Sequence, residues 1–350
     1  MDALISPRRR SLVAGLASAS LLAACGERRS LQTAPAFEFR GPAMGSTYTL
    51  KIAGQVPLAP EAAHEAVHDA LAAVEALMSH YRPESELSRL NRAAGGVPFA
   101  LSADTFAVLA LSQDVARETS GAFDVTVAPL VDAWGFGPSR AQRVVAEPER
   151  RALLARVGQD KLRVDAGTRT AIKSGDDVAA DLSAIAKGYG VDRAARALDA
   201  LGVANYMVEA GGEVRTRGRN AEGAPWQIAI EAPDAVPQKP WFVVPLSDRS
   251  LATSGDYRIY FEQDGRRYCH EIDPGEGRPI DHGLASVSVV AADCARADAE
   301  ATALMVMGET RGAAFAAERG IAAYFIVRDG PRLRARATPA FAALGGRRIA

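Results

Sequence analysis

Two hydrophobic periods alternate along this chain between residues 37 and 327, and that alternation limits the folds open to it. Apolar residues three and four apart mark an amphipathic helix, whereas a spacing of two marks a half-buried strand. Thr47-Tyr48-Thr49-Leu50-Lys51-Ile52 has the two-residue period and is rich in β-branched and aromatic residues, so a strand is expected there. Pro60 then opens a segment with apolar residues at Ala63, Val67, Leu71, Val74 and Met78, the spacing of one helical face. A second helix is expected from Ser102, its N-cap, through Thr119, stopping at Ser120-Gly121. Between residues 137 and 171 arginines are frequent and periodicity is weak apart from a short helical stretch at 153–157, so this segment reads as an excursion from the core. Helical signal returns at 183–201, and strands are expected at 205–208, 226–230, 242–246 and 258–261. Asp264-Gly265 then turns a hairpin back into 267–272. A strand at 284–290 precedes helices at 295–307 and 310–319 and a last strand at 321–327. This interleaving, with hairpins in it, predicts a single mixed α/β or α+β domain with a partly antiparallel sheet.

The first residues stand apart from that fold. Arg8, Arg9 and Arg10 precede an uncharged stretch ending in Leu22-Ala23-Ala24-Cys25. The stretch is shorter than the ~20 residues a permanent span needs, and its basic flank and small residues fit a cleavable signal peptide over 1–24. Leu-Ala-Ala-Cys resembles a bacterial lipobox, so Cys25 is expected to carry a lipid and residues 25–36 to tether a domain spanning 37–350. The location implied is the bacterial cell envelope, on the inner or outer membrane and facing the periplasm. Arg9-Arg10-Ser11-Leu12-Val13 also resembles a twin-arginine signal, and a Sec route is equally open. Apart from Cys25 the chain has only Cys269 and Cys294, too few for a disulfide scaffold, and whether they pair is open.

With 48% apolar and 24% charged residues over 350 positions, the chain can bury a substantial core. Its 41 basic and 42 acidic residues give a formal net charge of −1, which argues against nucleic acid as a partner. Neither a P-loop nor a Gly-x-Gly-x-x-Gly turn occurs, and there is no Cys-x-x-Cys or His-Glu-x-x-His pattern. A Rossmann enzyme, a P-loop NTPase and a soft-metal centre are therefore not supported.

What the chain does carry is a series of small-residue, acidic and hydroxyl clusters at the edges of expected elements. They are Met44-Gly45-Ser46-Thr47, Asp181-Leu182-Ser183-Ala184-Ile185-Ala186-Lys187-Gly188-Tyr189, Glu209-Ala210-Gly211-Gly212-Glu213 and Ala252-Thr253-Ser254-Gly255-Asp256-Tyr257. His270-Glu271-Ile272-Asp273-Pro274 and Ala297-Asp298-Ala299-Glu300-Ala301-Thr302 follow. Glycines at such edges let backbone approach a bulky ligand. Asp298 and Thr302, spaced i and i+4 on an expected helix, offer two oxygens on one face, which suits a hard cation such as Mg²⁺. An Asp countering the helix dipole and a back-bonding Thr would leave the same trace. Lys187 suits a phosphate or flavin contact, or is simply a solvated charge. Asp181 could accept from a ligand or cap a helix. His270, beside the Asp273-Pro274 turn, has the pKa range of a general base, though a lone histidine is more often structural.

In sequence and in order, these clusters resemble the motifs of the ApbE family of FAD:protein FMN transferases, from about residue 37 to the strand ending near Val327. The resemblance implies a single-domain α/β fold. It places Met44, Tyr81, Ala122, Phe123, Asp124, Asp181, Lys187 and Ile272 along the FAD site. It also implies Mg²⁺ held by the Ala184 carbonyl and the Asp298 and Thr302 side chains, with His270 as the base. The implied reaction moves FMN from FAD to a Ser or Thr hydroxyl of an acceptor flavoprotein and releases AMP. Acceptors would be flavoprotein subunits of membrane redox complexes bearing a Ser/Thr-Gly-Ala-Ser/Thr-type motif. The family's usual Asp-Pro-Arg-Thr-Gly run reads Asp273-Pro274-Gly275-Glu276-Gly277 here, so the basic and hydroxyl side chains of that loop are missing while its turn formers remain. A Mg²⁺-dependent FAD pyrophosphatase and a non-enzymatic flavin-binding lipoprotein are the alternatives.

Overall fold

In the computed structural model, which describes residues 34–349, eight strands pair in the order in which the chain makes them. They are Ala36–Ala43, Ser46–Ala53, Tyr206–Ala210, Glu213–Arg217, Ser250–Gly255, Leu284–Ala291, Ala322–Asp329 and Arg332–Ala337. Every neighbouring pair is antiparallel. The expected mixture of helix and sheet is present. The signal peptide, Cys25 and the tether through residue 33 lie outside the described residues.

Eight helices connect or cover these strands among the described residues: α1 (Pro60–Met78), α2 (Glu86–Arg92), α3 (Ala103–Glu118), α4 (Ala128–Ala133), α5 (Glu147–Leu154), α6 (Ala186–Ala200), α7 (Cys294–Glu318) and α8 (Pro339–Ala342). None is long and apolar enough to cross a membrane. Helix α1 begins at Pro60, and Ala63, Val67, Leu71, Val74 and Met78 form its buried face as expected. The face packs with α6 against Tyr48, Leu50, Ile52, Tyr206 and Val208 of the sheet. Burial of each such aliphatic side chain contributes roughly 1.5–3 kcal/mol. Helix α7 covers the same side further along, where Ala297, Ala301, Leu304 and Met305 meet Ala252, Val287, Val289 and Phe325.

The two-residue period sends the intervening residues to the opposite face. Leu251, Val290, Tyr324 and Ile326 pack there on a small sheet whose strands Trp226–Glu231 and Pro240–Leu246 supply Trp226, Ile228, Ile230, Trp241, Val244 and Leu246. The main sheet is thus buried on both faces at its centre, which is why Leu284–Ala291 is buried along nearly its whole length, Ser286 and Ser288 included.

Some boundaries differ from expectation. The helix in the arginine-rich excursion is α5, earlier than 153–157: Ala146 precedes Glu147, Pro148 and Glu149, a helix-start signal that outweighs the apolar spacing downstream. Helix α6 begins at Ala186 rather than 183, because Asp181 and Ser183 close a separate turn before it. The two expected C-terminal helices are both present within α7, separated as expected at Gly308, whose backbone is non-helical with φ of 74° and where a Cβ would meet the His282 ring at 3.2 Å. Cys269 and Cys294 are both free and buried.

Candidate active site

Glycine turns at the sheet edge bring its strand ends against the first turn of α6. Met44 and Gly45 adopt φ of 52° and 74° between the first two strands. The Met44 amide donates to Glu75 Oε2 at 3.1 Å, and a Cβ on Gly190 would stand 2.8 Å from Met44 Sδ. Gly211 and Gly212 adopt φ of 65° and 107° in the next turn, and the Gly211 amide donates to the Thr47 carbonyl at 3.1 Å. A Cβ at Gly211 would lie 3.2 Å from Lys187 Cδ, so this turn sits directly against the lysine.

Lys187 Nζ donates to Glu213 Oε1 at 2.7 Å, with Glu213 1% and Lys187 32% exposed. One residue on, the Gly188 amide donates to Asp298 Oδ2 at 3.0 Å. Burial alone would lower the Lys187 pKa, but the charges of Glu213 and Asp298 outweigh it and hold the lysine protonated. Burial pushes the Glu213 and Asp298 carboxyls up against the pull of the same ammonium. Thr302, on the Asp298 face of α7, shares a hydrogen bond of 3.0 Å with the Ser254 hydroxyl.

Asp181 lies beside the Ala122–Phe123–Asp124 loop, because its amide donates to the Val125 carbonyl at 2.7 Å. Ala122 and Phe123 are buried, and the Asp124 carboxylate turns back to accept from the Thr126 amide and hydroxyl at 2.8 and 2.6 Å. Asp181 Oδ1 accepts from the Ser183 amide and hydroxyl at 2.8 and 2.6 Å and pairs with His80 Nδ1 at 2.9 Å. Burial works against the Asp181 charge, but these bonds outweigh it and hold the carboxyl below its ordinary value. Tyr81, half-exposed, donates its hydroxyl to the Phe136 carbonyl at 2.9 Å.

His270 ends the hairpin of Tyr260–Gln263 and Arg266–Cys269, its amide donating to the Ile259 carbonyl at 3.1 Å. Its ring meets Phe136 edge-on at 6.4 Å, which ties it to the Tyr81 side of the site. Burial and the Lys187 charge lower its pKa to about 4, so the imidazole is neutral near pH 7. Glu271 is pushed up to about 8 by burial and by Asp298. Ile272 packs its side chain among Leu130, Trp134, Val145 and Leu153. In the departing loop, Asp273 Oδ1 accepts from the Gly275 and Glu276 amides at 2.8 and 3.2 Å, so the turn is retained without Arg or Thr. The excursion braces it: Trp134 Nε1 donates to the Gly277 carbonyl at 3.0 Å, and the Arg150 guanidinium donates to the Glu276 carbonyl.

The donor set fits a hard cation. Asp298 and Thr302 offer oxygen only, and three buried carboxyls, Asp298, Glu213 and Glu271, surround a single ammonium, so a cation that displaced their protons would find negative charge there. Four buried side-chain atoms lack a hydrogen-bond partner among the described residues, and His80 Nε2, Glu213 Oε2 and His270 Nδ1 are three of them. No group of three or more His, Cys, Asp or Glu side chains converges as a metal cage among the described residues. A cation here would therefore take few protein oxygens and complete its shell from phosphate and water, the habit of Mg²⁺. The residues that the sequence left without a role are His80, Glu271 and Glu213. Glu213 and Glu271 stood in clusters already noted, but nothing local to His80 reports its pairing with Asp181.

A fold and site of this kind define a family. The chain belongs to the ApbE family, whose model matches residues 44–325. It is 42% identical over 334 residues to a FAD:protein FMN transferase of Vibrio cholerae, covering 95% of this chain and 98% of that protein. It is 41% identical over 329 residues to one of Haemophilus influenzae, covering 91% and 94%. Among solved structures, the flavin transferase ApbE from Vibrio cholerae superposes with a TM-score of 0.81 at 41% identity, covering 89% of this chain and 99% of that one.

Proposed function

We propose that this protein transfers FMN from FAD to a Ser or Thr hydroxyl of an acceptor flavoprotein, in a Mg²⁺-dependent reaction that releases AMP. The observation that carries this reading is the convergence of Asp181, Lys187, His270 and Asp298 on one site in a chain that matches named FMN transferases over nearly its whole length. The Ala184 carbonyl, Asp298 and Thr302 would hold Mg²⁺, which when bound supplies charge neutralisation at the pyrophosphate. Lys187, kept cationic by Glu213 and Asp298, binds and orients the phosphates. Tyr81, Asp181 and the 122–124 loop line the flavin end, and neutral His270 accepts the proton of the incoming hydroxyl. The hydroxyl oxygen bonds to the FMN phosphorus as the bond to the AMP phosphate oxygen breaks, so one phosphoester and one AMP result. Positioning and electrostatic stabilisation account for most of the acceleration in such a transfer.

Acceptors are flavoprotein subunits of membrane redox complexes with a Ser/Thr-Gly-Ala-Ser/Thr-type motif. A lipid on Cys25 would keep enzyme and acceptor on one membrane surface, and Cys25→Ser should release the protein from the membrane fraction. The transfer is tested by intact mass spectrometry of an acceptor domain after incubation with FAD and Mg²⁺, with free FMN and AMP assayed in parallel. A gain of one FMN that EDTA abolishes supports the transferase. Free FMN and AMP with no adduct would replace it with a pyrophosphatase.

A further inference from the structure

His80 stands in the turn after α1, one residue before Tyr81, and its ring contacts the Tyr81 ring with centroids 4.1 Å apart. Nδ1 lies 2.9 Å from Asp181 Oδ1, and a carboxylate can only accept, so Nδ1 carries the hydrogen. The side chain is 10% exposed, and Nε2 is sealed from solvent with no partner among the described residues. A sealed, unpaired polar atom is costly, and such atoms in folded proteins commonly mark a missing ligand or water. The ring that carries it touches both Tyr81 and Asp181, which are assigned above to the flavin end of the site.

We infer that His80 is a ligand-contacting residue of this chain, donating from Nε2 to an acceptor oxygen of the bound flavin nucleotide while Nδ1 fixes the Asp181 carboxylate. The inference rests on the proposed FAD site and extends it to a side chain that no motif marks. The charged groups within electrostatic reach of the ring are Asp181 and, from α4, Asp132, both carboxylates. Burial would lower the His80 pKa, but the bond and charge of Asp181 outweigh it, so the second proton is held more firmly than in free histidine. Asp181 Oδ1 already serves three donors, so His80 also limits the orientation in which the carboxylate faces the ligand.

The test is the FAD dissociation constant, read from flavin fluorescence without Mg²⁺ or acceptor between pH 6 and 8.5, for wild type, His80→Asn and His80→Gln. Wild type should bind roughly tenfold more tightly at the acid end. The Asn amide can replace Nδ1 but leaves nothing at Nε2, so His80→Asn should bind roughly tenfold more weakly at pH 6 and lose the pH slope, with its melting temperature kept. His80→Gln, whose amide reaches the Nε2 position, should recover part of the affinity without the slope, and it answers the question if His80→Asn folds poorly. Wild-type affinity and slope in the variants would overturn the inference and leave His80 a structural partner of Asp181. Absence of FAD binding by the wild type would instead overturn the proposed substrate.

Discussion

The Gly188 amide donates to Asp298 Oδ2 at 3.0 Å across a helix contact so close that a Cβ on Gly188 would stand 2.4 Å from the Cys294 carbonyl oxygen. Backbone occupies that space, so no rotamer change can relieve the clash. Gly188→Ala should therefore cost roughly 1–3 kcal/mol of stability by forcing α6 from α7. It should also raise the Mg²⁺ concentration needed for turnover, because Asp298 loses its fixed orientation. Urea denaturation and a Mg²⁺ titration of FAD turnover check the two effects, and an unchanged Mg²⁺ requirement would separate Gly188 from the metal.

Asp298→Asn keeps an oxygen for the Gly188 amide but removes the charge proposed to hold Mg²⁺. Turnover of FAD should fall by about 100-fold or more. The metal-free protein should melt no lower than wild type, since a carboxylate whose charge burial disfavours has been neutralised. Undiminished Mg²⁺-dependent turnover would move the metal elsewhere.

With its pKa lowered to about 4, the proposed base His270 is ready to accept a proton throughout the neutral range. The acid limb of the kcat profile should fall near pH 4–5 rather than at the ordinary histidine value. His270→Ala should lower kcat by roughly 10²- to 10⁴-fold and abolish that limb. Retained transfer by the variant would remove His270 from the proton path.

Glu271 titrates at about 8 in the folded protein against an ordinary 4.5. The folded state therefore binds more protons than the unfolded state between those values, and stability falls as pH rises from 4.5 to 8. Its contribution is present below the unfolded value and lost through the folded one. A divalent cation beside Asp298 should offset the loss, raising the melting temperature at pH 8.5 by at least about 2 °C and much less at pH 5.5. Differential scanning fluorimetry with Mg²⁺ and EDTA at both values would show it. An equal effect at both would mean that cation and proton do not share this acidic cluster.

Legibility in the sequence followed the range of the interactions involved. Helix α1 was readable because its buried face repeats within a few residues, and the Asp264-Gly265 hairpin because its turn is local. The edge strands Ala36–Ala43 and Arg332–Ala337 are poorly legible because no residue of either is fully buried, and the alternation of Phe37 and Phe39 is too short to mark a strand by itself. Ser250–Gly255 was seen only as a small-residue cluster, since Ala252, Ser254 and Gly255 carry almost no strand propensity and tertiary burial decides their conformation. In the site, the ordered clusters supplied Asp181, Lys187, His270 and Asp298. His80 was invisible because its partner is Asp181, far along the chain, and no local spacing encodes that contact.

The order of the strands has a kinetic side. Ser46–Ala53 pairs with Tyr206–Ala210 only after the whole run from α1 to α6 has been made, whereas most later neighbours are closed by much shorter connections. Each doubling of a flexible loop adds only about 0.6 kcal/mol of closure entropy, but distant pairings still slow the search. The proposed flavin site lies against that seam, where the Gly211 amide donates to the Thr47 carbonyl and Glu213 holds Lys187. Nucleotide bound there would thus act as a clasp on the pairing of longest sequence separation between neighbouring strands of the main sheet, opposing its opening.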